Sequence, residues 1–221
     1  MTRKLLLLGT VIGTLGFLTP AYAELWDFSS PTGNPCGVGA CPSANYTGTP
    51  SGGTGGGDII TATAFGPNSP SLVAKNLGAD EAGLGLTNDP SGQGEITPGS
   101  FIQLSLANIN FAVVSLNMSF QANSTTAGEI WQVFGSNTAG TLGTLLASCN
   151  SAVMSNCEAV QTVNGLGAFK FADVTSSVGN VLLREVDTVA PGPIVGAGLP
   201  GLIAACGGLI ALARRRRRQL A

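Results

Sequence analysis

Apolar residues recur at every second position in several short stretches of this 221-residue chain. That period of two is the mark of a half-buried strand. Ile102, Leu104 and Leu106 alternate with Gln103, Ser105 and Ala107. Ala112, Val114, Leu116, Met118 and Phe120 share one face of the next run, with Ser115, Asn117 and Ser119 on the other. Ile59–Phe65 is rich in β-branched residues. Further strands are predicted at 129–134, 144–147, 159–163, 169–174 and 181–186. The residues between them suit tight turns, notably 137–140, Asn164-Gly165 and Gly179-Asn180, since glycine and asparagine accept positive φ. Residues 32–57 are crowded with Gly, Pro, Ser and Thr and read as a long surface loop, with 52–57 a flexible glycine linker. Many short strands without intervening helices predict an all-β fold: an antiparallel, jelly-roll-like β-sandwich over residues 24–189. A β-helix is the rival architecture, but it would need a fixed-period repeat, which the chain lacks.

Both ends break the alternation. Residues 1–23 run from Arg3 and Lys4 through an apolar stretch at 5–18 to Pro20 and Ala21-Tyr22-Ala23. Charge, then apolar run, then small residues is the layout of a secretory signal peptide, here with cleavage expected after Ala23. Residues 194–213 carry no charge. As a helix, such a stretch would reach about 30 Å, the thickness of a bilayer's hydrocarbon core. Directly behind it stand Arg214, Arg215, Arg216, Arg217 and Arg218. Arginines flanking a transmembrane helix keep that flank in the cytoplasm, so everything before the span is expected outside the membrane.

The formal net charge of −2 conceals how unevenly charge is placed. All twelve acids fall between Glu24 and Asp187, where the only cations are Lys75, Lys170 and Arg184. An acidic middle has no electrostatic footprint for nucleic acid, which needs clustered Lys and Arg. Four cysteines form two close pairs, Cys36 with Cys41 and Cys149 with Cys157. Export favours disulfides at both, with free thiols as the alternative. Zinc usually recruits histidine or tighter Cys-x-x-Cys spacing, and the chain has no histidine.

The C-terminal order of parts resembles the PEP-CTERM sorting domain. It consists of a short proline motif (Pro191, Gly192, Pro193), the glycine-rich apolar span 194–213 and the arginine cluster 214–218, within a tail at 190–218. The resemblance implies recognition by an exosortase-like enzyme after signal peptidase has acted. Cutting near the proline motif would deliver the protein from an inner-membrane-anchored precursor to the cell surface, or to the exopolysaccharide matrix of a biofilm. The sequence departs from the family at Gly192, where a glutamate is usual. Stretches such as Gly83-Leu84-Gly85-Leu86 and 134–140 are also similar to glycine- and asparagine-rich ectodomains carried by such proteins, which mostly lack an assigned activity.

Without histidine, neither a Ser-His-Asp triad nor a Cys-His pair can be built. Paired carboxylates remain chemically possible, but no spacing selects a pair. The expectation is therefore a non-catalytic surface protein with no cofactor. Asp80, Glu81, Asn88, Asp89 and Glu95 gather oxygen ligands in one glycine-rich stretch, readable as a solvated acidic loop or as a structural calcium site. Trp26 and Trp131 are core aromatics on one reading and sugar-stacking platforms on the other. The second reading, joined to the acidic loop, makes the chain a carbohydrate-binding module engaging exopolysaccharide.

Overall fold

A computed structural model describes residues 23–29, 35–37, 39–50, 57–78, 81–87, 92–109, 118–123, 128–150 and 161–188. Among the described residues thirteen strands follow one another: β1 (Glu24–Asp27), β2 (Ser43–Thr47), β3 (Thr49–Pro50), β4 (Ile59–Phe65), β5 (Leu72–Asn76), β6 (Ala82–Leu86), β7 (Phe101–Ser105), β8 (Met118–Asn123), β9 (Ile130–Ser136), β10 (Thr144–Asn150), β11 (Gln161–Val163), β12 (Phe171–Val178) and β13 (Leu182–Thr188). The only helical turn among the described residues is a 3₁₀ turn at Leu166–Ala168. The described part of the chain is thus all-β, as the alternation predicts.

The strands form two sheets. The first has seven strands in the order β11-β8-β13-β1-β3, with β6 also on β13 and β5 on β6. The second has six, in the order β10-β9-β12-β7-β4-β2. Every strand pairing among the described residues is antiparallel. The described residues therefore do not form a parallel β-helix. Along one edge of β13, two short strands share the pairing end to end. β1 takes Glu185, Val186 and Asp187, and β6 then takes Leu183.

Both sheets feed one hydrophobic core. Ile60, Ala62 and Ala64 on β4, Ile102 and Leu104 on β7, Val133 on β9 and Ala172 and Val174 on β12 come from the second sheet. Trp26, Leu84, Leu86, Phe120, Leu183 and Val186 come from the first. In β4, β7 and β12 these inward rows have a period of two, because successive side chains of a strand point to opposite faces, while in β13 a bulge after Leu183 sets Leu183 and Val186 three apart. Phe28, just past β1, meets Tyr46 of β2 edge-on, with ring centroids 4.7 Å apart, and so joins the two sheets.

Three differences from the sequence reading have local causes. Residues 32–57 are not one loop, since β2 and β3 lie within them. β2 is an edge strand of the second sheet that turns only Ala44 and Tyr46 inward, too few apolar positions to stand out. β1 was hidden by its length of four residues, and β6 by its glycines. The predicted strand at 112–120 appears from Met118 onward, with 110–117 outside the described residues. The turn expectations at Gly165 (φ 85) and Gly179 (φ 74) are met by backbone that favours glycine.

Candidate functional site

Residues 1–22 of the signal peptide expected at 1–23, the expected motif Pro191, Gly192 and Pro193, the span 194–213 and Arg214, Arg215, Arg216, Arg217 and Arg218 lie outside the described residues. Among the described residues no helix is long and apolar enough to cross a membrane. What the structure describes is where these segments attach. β1 begins at Glu24, the residue after the expected cleavage point, and β13 ends at Thr188, two residues before the expected tail. These strands are direct neighbours, with Leu25 opposite Asp187 and the Glu24 amide donating to Thr188 Oγ1 at 2.7 Å. The Glu24 carboxylate in turn accepts the Asp58 amide at 2.8 and 3.0 Å. Burial raises the Glu24 pKa against that hydrogen bond, and the Asp58 charge raises it further. Both attachment points therefore sit side by side at one end of the first sheet.

Of the cysteines, Cys36 and Cys41 are joined, with Cα atoms 5.8 Å apart, inside the usual range for a disulfide. The bridge has a structural setting. Cys41 exchanges backbone hydrogen bonds with Leu72 at 3.1 and 2.6 Å, linking the approach to β2 in one sheet to the start of β5 in the other. Cys149 on β10 is also disulfide-bonded and buried, while Cys157, its expected partner, lies outside the described residues.

The acidic stretch is partly neutralised from within. Lys75 on β5 reaches Glu95 Oε1 at 2.5 Å and Glu81 Oε2 at 3.1 Å. Burial would lower the Lys75 pKa, but hydrogen bonds and charge attraction from Glu95 and Glu81 outweigh it and raise it. A lysine ammonium thus occupies the position between two of the carboxylates considered for calcium. Asp80, Asn88 and Asp89 lie outside the described residues, and no group of three or more metal-ligating side chains occurs among those described. Replacing Lys75 by Met keeps the aliphatic stem and strips Glu95, itself only 8% exposed, of a charge-assisted partner. The expected result is a loss of about 1–3 kcal/mol in urea unfolding at pH 7. A change below a few tenths would mean that the pair is solvated in practice.

Trp26 and Trp131 are each 1% exposed. Trp26 lies against Gly48 and donates its indole N–H to the Asp58 carbonyl at 3.2 Å. Trp131 is opposite Ser176 and Cys149 on neighbouring strands. Neither offers a ring face to a sugar, so both are core residues.

One polar site was not legible beforehand. On the outer face of the second sheet, Gln103 of β7 donates its amide to Asp173 Oδ1 of β12 at 2.7 Å, and both side chains are buried. Residues 137–143, between β9 and β10, fold over this pair, with the Gly140 amide donating to Gln103 Oε1 at 3.0 Å. The one available sequence signal is the lone acid in the predicted strand 169–174. No protein-family model, curated protein or solved structure matches the chain.

Proposed function

We propose that this chain is an exported, non-catalytic cell-surface or extracellular-matrix protein. Its C-terminal residues 190–218 would serve as an exosortase-type sorting tail that first anchors it in the inner membrane. The observation that carries the reading is the order proline motif, uncharged span of bilayer length, arginine cluster, placed behind an acidic segment that contains all twelve carboxylates. A disulfide at Cys36 and Cys41 supports it, because such bonds persist in oxidising compartments outside the cytoplasm. The neighbouring ends of β1 and β13 support it too, because a domain held at one end leaves its remaining surface facing outward. In this reading the two sheets pack face to face as a jelly-roll-like sandwich, the fold acting as a stable extracellular module. The proposed partners are signal peptidase and an exosortase-like enzyme. The carbohydrate-binding alternative is not carried further, since the tryptophans on which its stacking platform would rest are interior.

The test is the intact mass of protein recovered from the surface of cells expressing the full chain. A product beginning at Glu24 and ending near Pro193 is expected. A product that retains Arg214, Arg215, Arg216, Arg217 and Arg218 would reduce the tail to a permanent anchor. Full-length chain free in the cytosol would remove the proposal altogether.

A further inference from the structure

The six strands of the second sheet contain a single charged side chain, Asp173. It has no exposed surface, and its Oδ2 has no hydrogen-bond partner. The groups facing it are uncharged on every side. Gln103 is opposite on β7 and Phe134 opposite on β9, and Phe171 and Thr175 flank it on its own face of β12. Thr63 of β4 lies beyond Gln103, and residues 137–143 above contain no ionisable group. The nearest charge along the chain, Lys170, is on an exposed residue whose backbone N–H bonds Asn137 Oδ1 at 3.1 Å.

Gln103 couples the carboxyl to the loop. Its Nε2 donates to Asp173 Oδ1 and, at 3.4 Å, to the Thr138 carbonyl, while its Oε1 holds the Gly140 amide. Ser136 fastens the same loop, its hydroxyl within 3.0 Å of the Thr138 carbonyl and 2.7 Å of the Thr141 carbonyl. Gly140 rests against the ring of Phe65, which stacks on Phe101 at 5.3 Å. Beneath the loop therefore lies a surface of two aromatic rings, an amide and a carboxyl.

We propose that residues 137–143 form a proton-controlled cover over the outer face of the second sheet, closed while Asp173 is protonated and loosened once its proton has passed to water. The physical reason is that a neutral acid can stay buried with one oxygen unpartnered, whereas an ionised one in a nonpolar setting strongly favours hydration. The strands on either side are fixed by their ladders, so the short loop is the part able to admit water. Burial pushes the Asp173 carboxyl from 3.8 up to about 6, against opposing hydrogen bonds from Gln103 and the Gly143 backbone. A folded-state pKa raised in this way gives stability that is fully present below about pH 4 and is lost as pH rises through about 6. The inference is independent of the sorting-tail reading.

The experiment uses the full-length chain in detergent micelles, followed by NMR from pH 4 to 8. The Asp173 carboxyl carbon is expected to titrate near pH 6. The Gly140 amide, corrected for intrinsic exchange, is expected to lose protection by roughly tenfold between pH 5 and 7.5, the share of the linkage that falls in that window when the closed-state pKa is about 6. Amides of the β7–β12 ladder should change much less, which separates a local opening from a fall in global stability. Asp173→Asn should remove the pH response at Gly140. A carboxyl titrating near 4, equal changes at Gly140 and in the ladder, or a pH response retained in Asp173→Asn would each overturn the proposal. The wild-type titration decides the matter even where the variant fails to fold.

Discussion

Truncating Trp26 to alanine is expected to lower the unfolding free energy by about 3–5 kcal/mol, a third or more of what a domain of this size usually has. β1 is only four residues long and fits between β13 and β3, so it has few side chains with which to hold its place. Its outward residues, Leu25 and Asp27, are exposed, leaving Trp26 as its inward anchor. Removing the indole empties a fully buried site and takes one of two donors from the Asp58 carbonyl, which keeps the Gly48 amide at 2.8 Å. Trp26→Phe separates these effects, since most of the volume remains and only the hydrogen bond is lost, for about 1 kcal/mol. Urea unfolding of both variants measures the difference. The larger loss should be accompanied by fraying of the pairing of β1 with β13, seen as faster amide exchange along Leu25–Asp27. A Trp26→Ala variant within 1 kcal/mol of the parent would show that β1 is held by its ladder alone.

Gly85→Ala is expected to destabilise the fold by about 3 kcal/mol, at the upper end for overpacking, because the obstacle is backbone. All five residues of β6 are buried. Leu84 and Leu86 fill the core, while Gly83 and Gly85 occupy the other face of the strand. A methyl group at 85 would collide with the Gly94 carbonyl oxygen and approach Leu182 Cδ2 to 2.9 Å. The leucine could turn aside. The carbonyl cannot do so without shifting the segment whose Ile96 exchanges hydrogen bonds of 2.8 and 3.0 Å with Val181. Gly39→Ala is the control, since its nearest neighbour, the Cys36 carbonyl, is 3.5 Å away. It should stay within about 0.5 kcal/mol of the parent in thermal melts. If Gly85→Ala matched that control, the close approach of residue 94 to β6 would be disproved.

These two positions show how unevenly the chain discloses itself. Leu84 and Leu86 could be recognised as apolar, but Gly83 and Gly85 disguised the strand, and the reason for Gly85 is a carbonyl nine residues further on, while Gly83 lies against the Leu183 carbonyl. Trp26 could be recognised as a core aromatic, yet its four-residue strand gave no period to detect. In the acidic stretch the oxygen-rich side chains were visible, whereas the cation among them was not. Lys75 lies six residues before Glu81 and twenty before Glu95, and only the pairing of β5 with β6 brings that strand beside them.

The sequence by itself determined the all-β class, the presence of β4, β9, β12 and β13, the inward rows of β7 and β8, and the turn glycines at 165 and 179. These follow from nearest neighbours along the chain: alternation puts every second side chain on one face, and a positive φ selects glycine. Tertiary structure alone decided which strands are neighbours, that β1 and β6 share an edge of β13, and that Asp173 sits buried beneath residues 137–143. Those outcomes depend on contacts between residues as many as 164 positions apart, as in the bond from Glu24 to Thr188. Local pattern carries no term for such pairings, because their energy comes from surfaces that exist only once both sheets have formed.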